Sequence, residues 1–512
     1  MKTLKDFSIY TKKVLSVNEY HSIILNANNL GFGNGLIVEN SGFALSNTIK
    51  QKYKGKNICF ICGKGFLGAV GLSTARHLIN YVNLSVIILS DYKEIRNKET
   101  LFNYNILNDL IEIKSINENN ISELNPYLKN NEIIVDAIIS TGLKGRLSKF
   151  ILKIVNMINN SNKKIISIDV PTGIDPDTGT TNIDCINANS VLCLYKLKQG
   201  LVKTKAIKNF ITLIDNKIPI SAELLTGNGD VVLATEPRNI NINKYLNGSV
   251  LIIGGSEKYH GAPVLAASAA KNAFATLRTG SGYVTVLVPK SIENIIKAVS
   301  PDLIVNSLEF KKIDESLKFI SDIRHTSLVI GPGISNEISA DFLLKLIGSE
   351  TRKENISIID GNAIKLIKTN NKILNQKIIL TPHEGEFFEL TGISLNKAAL
   401  EKKIDIAIEF AKTHKCTLVL KGNKTIITNG FQLKINKALT PTLAVMGSGD
   451  VLSGIIGSYS ALHKNAFECA VAGVYIHSKI SDKLFLEKGL HIIPDDIINA
   501  LPNELKKYDI VN

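Results

Sequence analysis

The chain predicts an α/β fold in two domains, and three observations carry that reading. Short apolar runs alternate with helical patterns through both halves, the pattern of parallel sheets covered by helices on both faces. At 512 residues the chain exceeds what one hydrophobic core ordinarily organises. Residues 217–247 interrupt the alternation with Pro219, Gly227, Gly229, Pro237 and the run Asn239 to Asn243, which marks a linker. The expected domains are 1–228 and 229–512.

In the first half, strands are expected at 57–62, 84–89, 133–139, 164–169 and 190–194. These runs are apolar and short, and turn or polar residues bound them. The residues at 70–82 and 147–159 read as helices. The Asn-rich stretches 116–125 and 159–163 read as surface loops. The second alternation opens at Gly248-Ser249-Val250-Leu251-Ile252-Ile253-Gly254-Gly255. It continues through strands near 283–288, 327–330, 356–360, 378–380 and 417–420. The Ala-rich run 262–277 and the run 451–462 read as helices.

Hydrophobic residues make up 45% and charged residues 21%, as in a soluble globular protein. The net charge is +14 without a dense Lys/Arg block. A diffuse positive field suits small phosphate-bearing ligands and gives little support to a nucleic-acid partner. No uncharged apolar stretch reaches membrane-spanning length, and no long apolar core follows Met1-Lys2-Thr3-Leu4-Lys5-Asp6. The six cysteines are scattered, so a reducing, cytoplasmic setting is expected. Cys59-Phe60-Ile61-Cys62 invites a redox reading, but it lies on an apolar strand. Residues three apart on a strand face opposite sides, so these read as buried thiols.

The most informative motif is Met446-Gly447-Ser448-Gly449-Asp450-Val451-Leu452-Ser453-Gly454. Glycines let backbone close on an anion, and a helix N-terminus presents free N–H groups to it. An aspartate beside such a cradle can take a proton from a hydroxyl during phosphoryl transfer. The alternative is an ordinary helix cap after a glycine turn. Other strand ends carry chemistry too: Gly254-Gly255-Ser256, Gly331-Pro332-Gly333, Asp360, Thr381-Pro382-His383-Glu384-Gly385-Glu386, and Lys421-Gly422 with Thr425 nearby. In open parallel sheets ligands collect at these ends.

In this order the motifs resemble the ribokinase-like NAD(P)H-hydrate dehydratases over roughly 240–505. The resemblance implies a ribokinase-like three-layer α/β domain using ADP or ATP, with Mg2+ accompanying the nucleotide. It implies that Lys421, Gly422, Asn423, Lys424 and Thr425, with Gly447, Ser448 and Gly449, hold the adenine nucleotide. It implies that Ala262, Gly333, His383 and Asp450 contact the hydrated dinucleotide, with Asp450 as catalytic base. Val445-Met446 departs from the family, which usually has a small or hydroxylated residue and a glycine there.

In the first half, Gly63-Lys64-Gly65-Phe66-Leu67-Gly68 fits G-x-G-x-x-G after a strand, and Asp91 follows the next strand. Read alone, this is a dinucleotide fingerprint with an acidic ribose partner. Asp136 to Gly145, Ile168-Asp169-Val170-Pro171-Thr172-Gly173 and Leu197-Lys198-Gln199-Gly200-Leu201 add further strand-end features. Together they resemble the NAD(P)H-hydrate epimerase domain over roughly 10–215, a Rossmann-like three-layer α/β sandwich that its family fuses to the dehydratase. The resemblance implies Asp169 as acid/base and Asp136 with Thr172 as potassium ligands. It implies substrate contacts from Phe66, Leu67, Gly68, Ala69, Val70, Ser140, Thr141, Gly142, Leu143, Lys144, Gly145, Arg146 and Asp169. The family loop usually reads Gly-x-Gly-Asn-Asn-Gly-Gly-Asp-Gly. Here Phe66, Leu67 and Val70 replace its polar residues, so weak epimerisation with little potassium dependence is expected.

The resulting expectation is a homo-oligomeric enzyme that repairs hydrated NADH and NADPH. The rival readings are a kinase of a small hydroxylated metabolite, a front domain that binds nucleotide without turnover, and an NAD-dependent dehydrogenase.

Overall fold

The computed structural model describes residues 4–143, 145–181, 185–204, 211–237, 248–274, 283–299, 301, 303–368 and 373–510. The chain divides into two compact units: Lys12–Pro219, and Ile220–Asn512 together with Met1–Thr11.

The Lys12–Pro219 unit is built on a parallel sheet of seven strands: β1 (Asn57–Cys62), β2 (Asn83–Ile88), β3 (Ile113–Ser115), β4 (Ile133–Ala137), β5 (Lys164–Ile168), β6 (Ser190–Leu194) and β7 (Ile211–Ile214). Their order is β3-β2-β1-β4-β5-β6-β7. The direction of winding reverses between β1 and β4, which places a ligand crevice at their carboxyl ends. Cys62 packs with Phe60 in the core on one face, and Cys59 packs with Ile61 on the other. None of the six cysteines is in a disulfide.

Several boundaries differ from the sequence reading for local reasons. The strands expected to reach 139 and 169 stop at Ala137 and Ile168. The Ile138 N–H turns back onto Asp136 Oδ1 at 3.2 Å. Asp169 adopts φ 68°, which cannot continue a strand. The helix expected at 70–82 is α1 (Phe66–Leu78), which starts directly on the glycine turn. Within the expected loop 116–125, Ile121–Glu123 forms a 3-10 turn and a helix begins at Leu124, whose side chain is fully buried. The asparagines masked that apolar anchor. Strands β3 and β7 were not anticipated.

The second unit holds nine strands: β8 (Val250–Ile253), β9 (Val284–Pro289), β10 (Ile304–Leu308), β11 (Ser327–Ile330), β12 (Ile356–Ile359), β13 (Ile378–Leu380), β14 (Thr417–Leu420), β15 (Lys424–Thr428) and β16 (Leu433–Lys437). They lie in the order β10-β9-β8-β11-β12-β13-β14-β15-β16, and the last two pairings are antiparallel. The helices that matter for the site are α2 (Gly261–Phe274), α3 (Glu384–Thr391), α4 (Ser448–Leu462) and α5 (Ala466–Lys488). Helix α4 packs tightly because Gly454 and Gly457 leave no Cβ: one built at Gly454 would lie 2.1 Å from the Ala266 carbonyl of α2.

The expected linker 217–247 needs correction. Ser221–Leu224 and Asn228–Ala234 are helices of the second unit, so the division falls after Pro219 and not at 228. Leu224 is fully buried in a core that also holds Phe7. Leu225 bridges Ile435, and Lys434 pairs with Asp230 at 2.6 Å. Gly227 is the N-cap of the second of these helices. Residues 238–247 lie outside the described residues. Among the described residues, no helix is long and apolar enough to cross a membrane.

Candidate active sites

In the second unit, parallel strands deliver charged groups to one end of the sheet. Asp360 directly follows β12, and Lys421 directly follows β14. Lys421 Nζ donates to Asp360 Oδ1 at 2.9 Å and lies 3.8 Å from Glu386. The Ser453 hydroxyl, one turn into α4, donates to Asp360 Oδ2 at 2.7 Å. Burial opposes the Asp360 charge, but Lys421, Ser453 and Thr381 outweigh it and hold its pKa below the carboxylate range. Burial also opposes the Lys421 charge, and Asp360 and Glu386 overcome it to raise that pKa.

Asp450 sits in the first turn of α4, beside this pair. Burial, then the negative charges of Asp360 and Glu386, push its pKa up to about 7 against the pull of Lys421. That is the range a general base needs near neutral pH. Gly447 reaches the helix through φ 89°, and a Cβ there would lie 2.6 Å from Leu265. A Cβ at Gly449 would lie 3.4 Å from Lys421 Nζ, so the lysine lies against the glycine turn. The Ser448 hydroxyl donates to the Leu443 carbonyl at 2.6 Å, which anchors the turn. His477 of α5 is buried close to the Ser448 turn. Burial and Lys421 push its pKa down to about 4, so it adds no second cation.

His383 joins the site through its backbone. It bridges Lys421 in parallel register, and the Lys421 N–H donates to the Pro382 carbonyl at 2.8 Å. Its Nδ1 accepts from the Gly385 and Glu386 N–H groups at 3.0 and 3.2 Å, capping α3. Glu386 Oε2 accepts from the His383 N–H at 2.8 Å in return. With Nδ1 accepting, Nε2 of this exposed ring carries the proton. Gly333 and Ala262 are also brought together: a Cβ at Gly333 would lie 3.0 Å from that of Ala262.

A hollow of about 500 Å³ beside this site is lined by Lys421, Gly422, Asn423 and Lys424, and also by Glu384 and Lys403. Thr425 does not line it. Its hydroxyl donates to the Gly422 carbonyl at 3.1 Å and shapes the turn instead. Lys403, paired with Glu384 at 2.5 Å, was missed because it lies in the first turn of the helix Leu400–His414, where a lysine reads as solvated surface.

The Lys12–Pro219 unit contains a cavity of about 1000 Å³ at the β1/β4 crevice. Of the residues expected to contact substrate, Phe66, Leu67, Ser140, Thr141, Gly142 and Asp169 line it. Ala69 and Val70 do not: both are fully buried in the core, because the second turn of α1 faces the sheet. Gly68 packs on the loop, where a Cβ would lie 1.7 Å from the Gly63 carbonyl. Leu143, Gly145 and Arg146 fall outside the lining, and Lys144 lies outside the described residues.

Asp169 is the most constrained residue of this cavity. Its φ of 68° is a strained conformation of the kind found at functional sites. The Ser140 hydroxyl donates to Oδ2 at 2.7 Å, and the Leu194 N–H donates to Oδ1 at 3.2 Å. Lys198, fully buried, pairs with Oδ1 and donates to the Leu194 carbonyl at 2.7 Å. Its ammonium lies 4.4 Å from the centre of the Tyr20 ring. Burial opposes that ammonium, but Asp169 leads the groups that hold its pKa above the ordinary lysine value. The sequence showed Lys198 within a motif but gave it no partner.

Asp136 is fully buried. It accepts from the Thr172 hydroxyl at 2.6 Å, the Ser167 hydroxyl at 2.8 Å, the Thr172 N–H at 3.0 Å and the Ile138 N–H at 3.2 Å. Burial still raises its pKa. Among the described residues, no group of three or more His, Cys, Asp or Glu side chains could hold a metal ion.

Residues 250–503 match the family described as NAD(P)H-hydrate dehydratase, and residues 35–200 match the YjeF-related protein N-terminus. A bifunctional NAD(P)H-hydrate repair enzyme of Methanocaldococcus jannaschii is 33% identical over 520 residues, covering 98% of this chain and 95% of that protein. The enzyme of the same description from Dictyoglomus turgidum is 31% identical, covering 91% and 93%. That from Pyrobaculum aerophilum is 29% identical, covering 94% and 96%. The chain belongs to the bifunctional NAD(P)H-hydrate repair enzymes, with an epimerase domain followed by a dehydratase domain.

Proposed function

We propose that the dehydratase domain removes water from the S form of NAD(P)H-hydrate at the expense of ADP or ATP, with Asp450 as the base. The observation that carries this is Asp450 itself, poised near pH 7 in the first turn of α4 beside Lys421 and the glycine turn. A hydroxyl on the hydrated nicotinamide ring leaves poorly. Phosphoryl transfer from the nucleotide makes it a good leaving group. Asp450 takes the hydroxyl proton, and the backbone N–H groups of Gly447 and Gly449 and the Lys421 ammonium stabilise charge on the transferred group. Lys403, Lys421 and Lys424 would hold the nucleotide in the hollow they share. Magnesium would accompany the phosphates of the nucleotide. Ala262, Gly333 and His383 would hold the dinucleotide. The test is recovery of reduced-ring absorbance when hydrated NADH is mixed with the protein and ADP or ATP. No recovery with either nucleotide would refute the assignment.

In the epimerase domain, Asp169 would exchange the proton, held in place by Lys198 and Ser140. The residues present do not fit a potassium ion. Asp136 already accepts four hydrogen bonds from the protein, and Leu67 offers no oxygen. Asp136 instead fastens the turns at Ile138 and Thr172. The cysteines, none of them in a disulfide, and the composition support a cytoplasmic protein.

A further inference from the structure

We infer that the front cavity selects the non-phosphorylated dinucleotide, hydrated NADH over hydrated NADPH, through Asp91. This rests on the front domain binding the hydrated dinucleotide. The strand order β3-β2-β1-β4-β5-β6 places β2, β1, β4 and β5 side by side. From β2 to β5 is three inter-strand steps, about 14 Å. That span suits an extended dinucleotide lying across the carboxyl ends, with nicotinamide at Asp169 after β5 and adenosine ribose after β2.

The middle of this path is built for a diphosphate. A Cβ at Gly63 would lie 2.2 Å from the Ile138 carbonyl, so only glycine lets the two loops close at the crevice. Gly65 begins α1 without a side-chain cap, which leaves first-turn N–H groups to a ligand. The replacement of polar loop residues by Phe66 and Leu67 does not alter these backbone donors.

At the β2 end the lining carries Asp91, Glu94 and Glu118, with Lys64 as the cation. Lys64 is already paired with Glu94 at 3.1 Å. Arg96 and Lys93 lie outside the lining. Among the described residues, the bond shown to the Asp91 carboxylate is from Asn117 Nδ2 to Oδ1 at 2.9 Å, and Oδ2 stays open to a ribose hydroxyl. A carboxylate after the second strand of such a sheet accepts from the ribose 2′-hydroxyl. A 2′-phosphate there would bring up to two negative charges against Asp91 and Glu118, and among the described lining residues the lysine at this end, Lys64, is already paired with Glu94.

The test uses the full-length protein without ADP or ATP. Pure R epimers of hydrated NADH and hydrated NADPH are supplied separately, and equilibration above the spontaneous rate is followed. The same protein and Asp91→Asn are titrated with NADH and NADPH by fluorescence. The expected kcat/KM is roughly tenfold or more higher for hydrated NADH. Asp91→Asn is expected to narrow that ratio and to tighten NADPH relative to NADH several-fold. Equal catalysis of both substrates, with the ratio unchanged in Asp91→Asn, overturns the selectivity and leaves the epimerase reading intact. No catalysis, but an Asp91-dependent shift in binding, supports the selectivity and removes the epimerase reading. Neither catalysis nor an Asp91-dependent shift overturns both.

Discussion

Lys421 Nζ lies 2.9 Å from Asp360 Oδ1, and this pair sets the electrostatics of the dehydratase site. The two groups come from the ends of strands separated by β13, so parallel packing makes the contact. Burial first, and then the Asp360 charge, hold the Asp450 pKa up at about 7, and Lys421 pulls against them.

Dehydration should therefore depend on ionised Asp450. Its pKa of about 7 means that kcat/KM rises with pH up to about 7 and is flat above it. Asp450→Asn should reduce turnover by at least ~100-fold while leaving the melting temperature nearly unchanged. The checks are a pH–rate profile and a thermal scan. Unaltered turnover in the variant would remove Asp450 from the mechanism.

Asp360→Asn should shift that limb to lower pH. Removing the neighbouring negative charge favours the ionised form of Asp450, and Lys421 is freed to stabilise it further. A limb that stays at the native position would show that Asp360 does not set the base.

Lys198→Met should destabilise the epimerase domain by roughly 3–5 kcal/mol, because Asp169 would be left buried without its partner. Lys198→Arg should recover part of that loss while leaving epimerisation impaired. Urea midpoints and R-epimer conversion separate the two effects. A Met variant as stable as the native chain would show that the pair contributes nothing to folding.

A fragment beginning at Ile220 should be more stable than one beginning near Arg238. Both lack the N-terminal segment, so the comparison isolates residues 220–237. Losing buried Leu224 and Val231 removes about 3 kcal/mol or more of apolar burial. The Asp230–Lys434 pair is lost as well. Equal urea midpoints would mean that these helices pack without stabilising the fold.

Conversion of the R epimer should be the same in potassium and in a large organic cation, because the Asp136 oxygens are bonded to protein. A rate that collapses without potassium would show that the loop rebuilds an ion site from other oxygens.

The sequence alone determined the two α/β domains, most strand positions, the family, and the residues at strand ends, including Asp450, Lys421 and Asp169. Those features are local. Periodicity sets the strands, and glycine with a polar residue after an apolar run marks the turn beyond them. It did not show that Leu224 and Val231 belong to the second core, because short capped helices and a linker share the same Pro, Gly and Asn content. Nor did it show that Ala69 and Val70 face the sheet, since a loop motif does not state where its helix begins. The tertiary structure decided the partners: Lys198 with Asp169 and Lys421 with Asp360, each joining residues 29 and 61 positions apart. Such pairs depend on strand order and register, which bring distant strand ends together and leave no periodic trace in the chain.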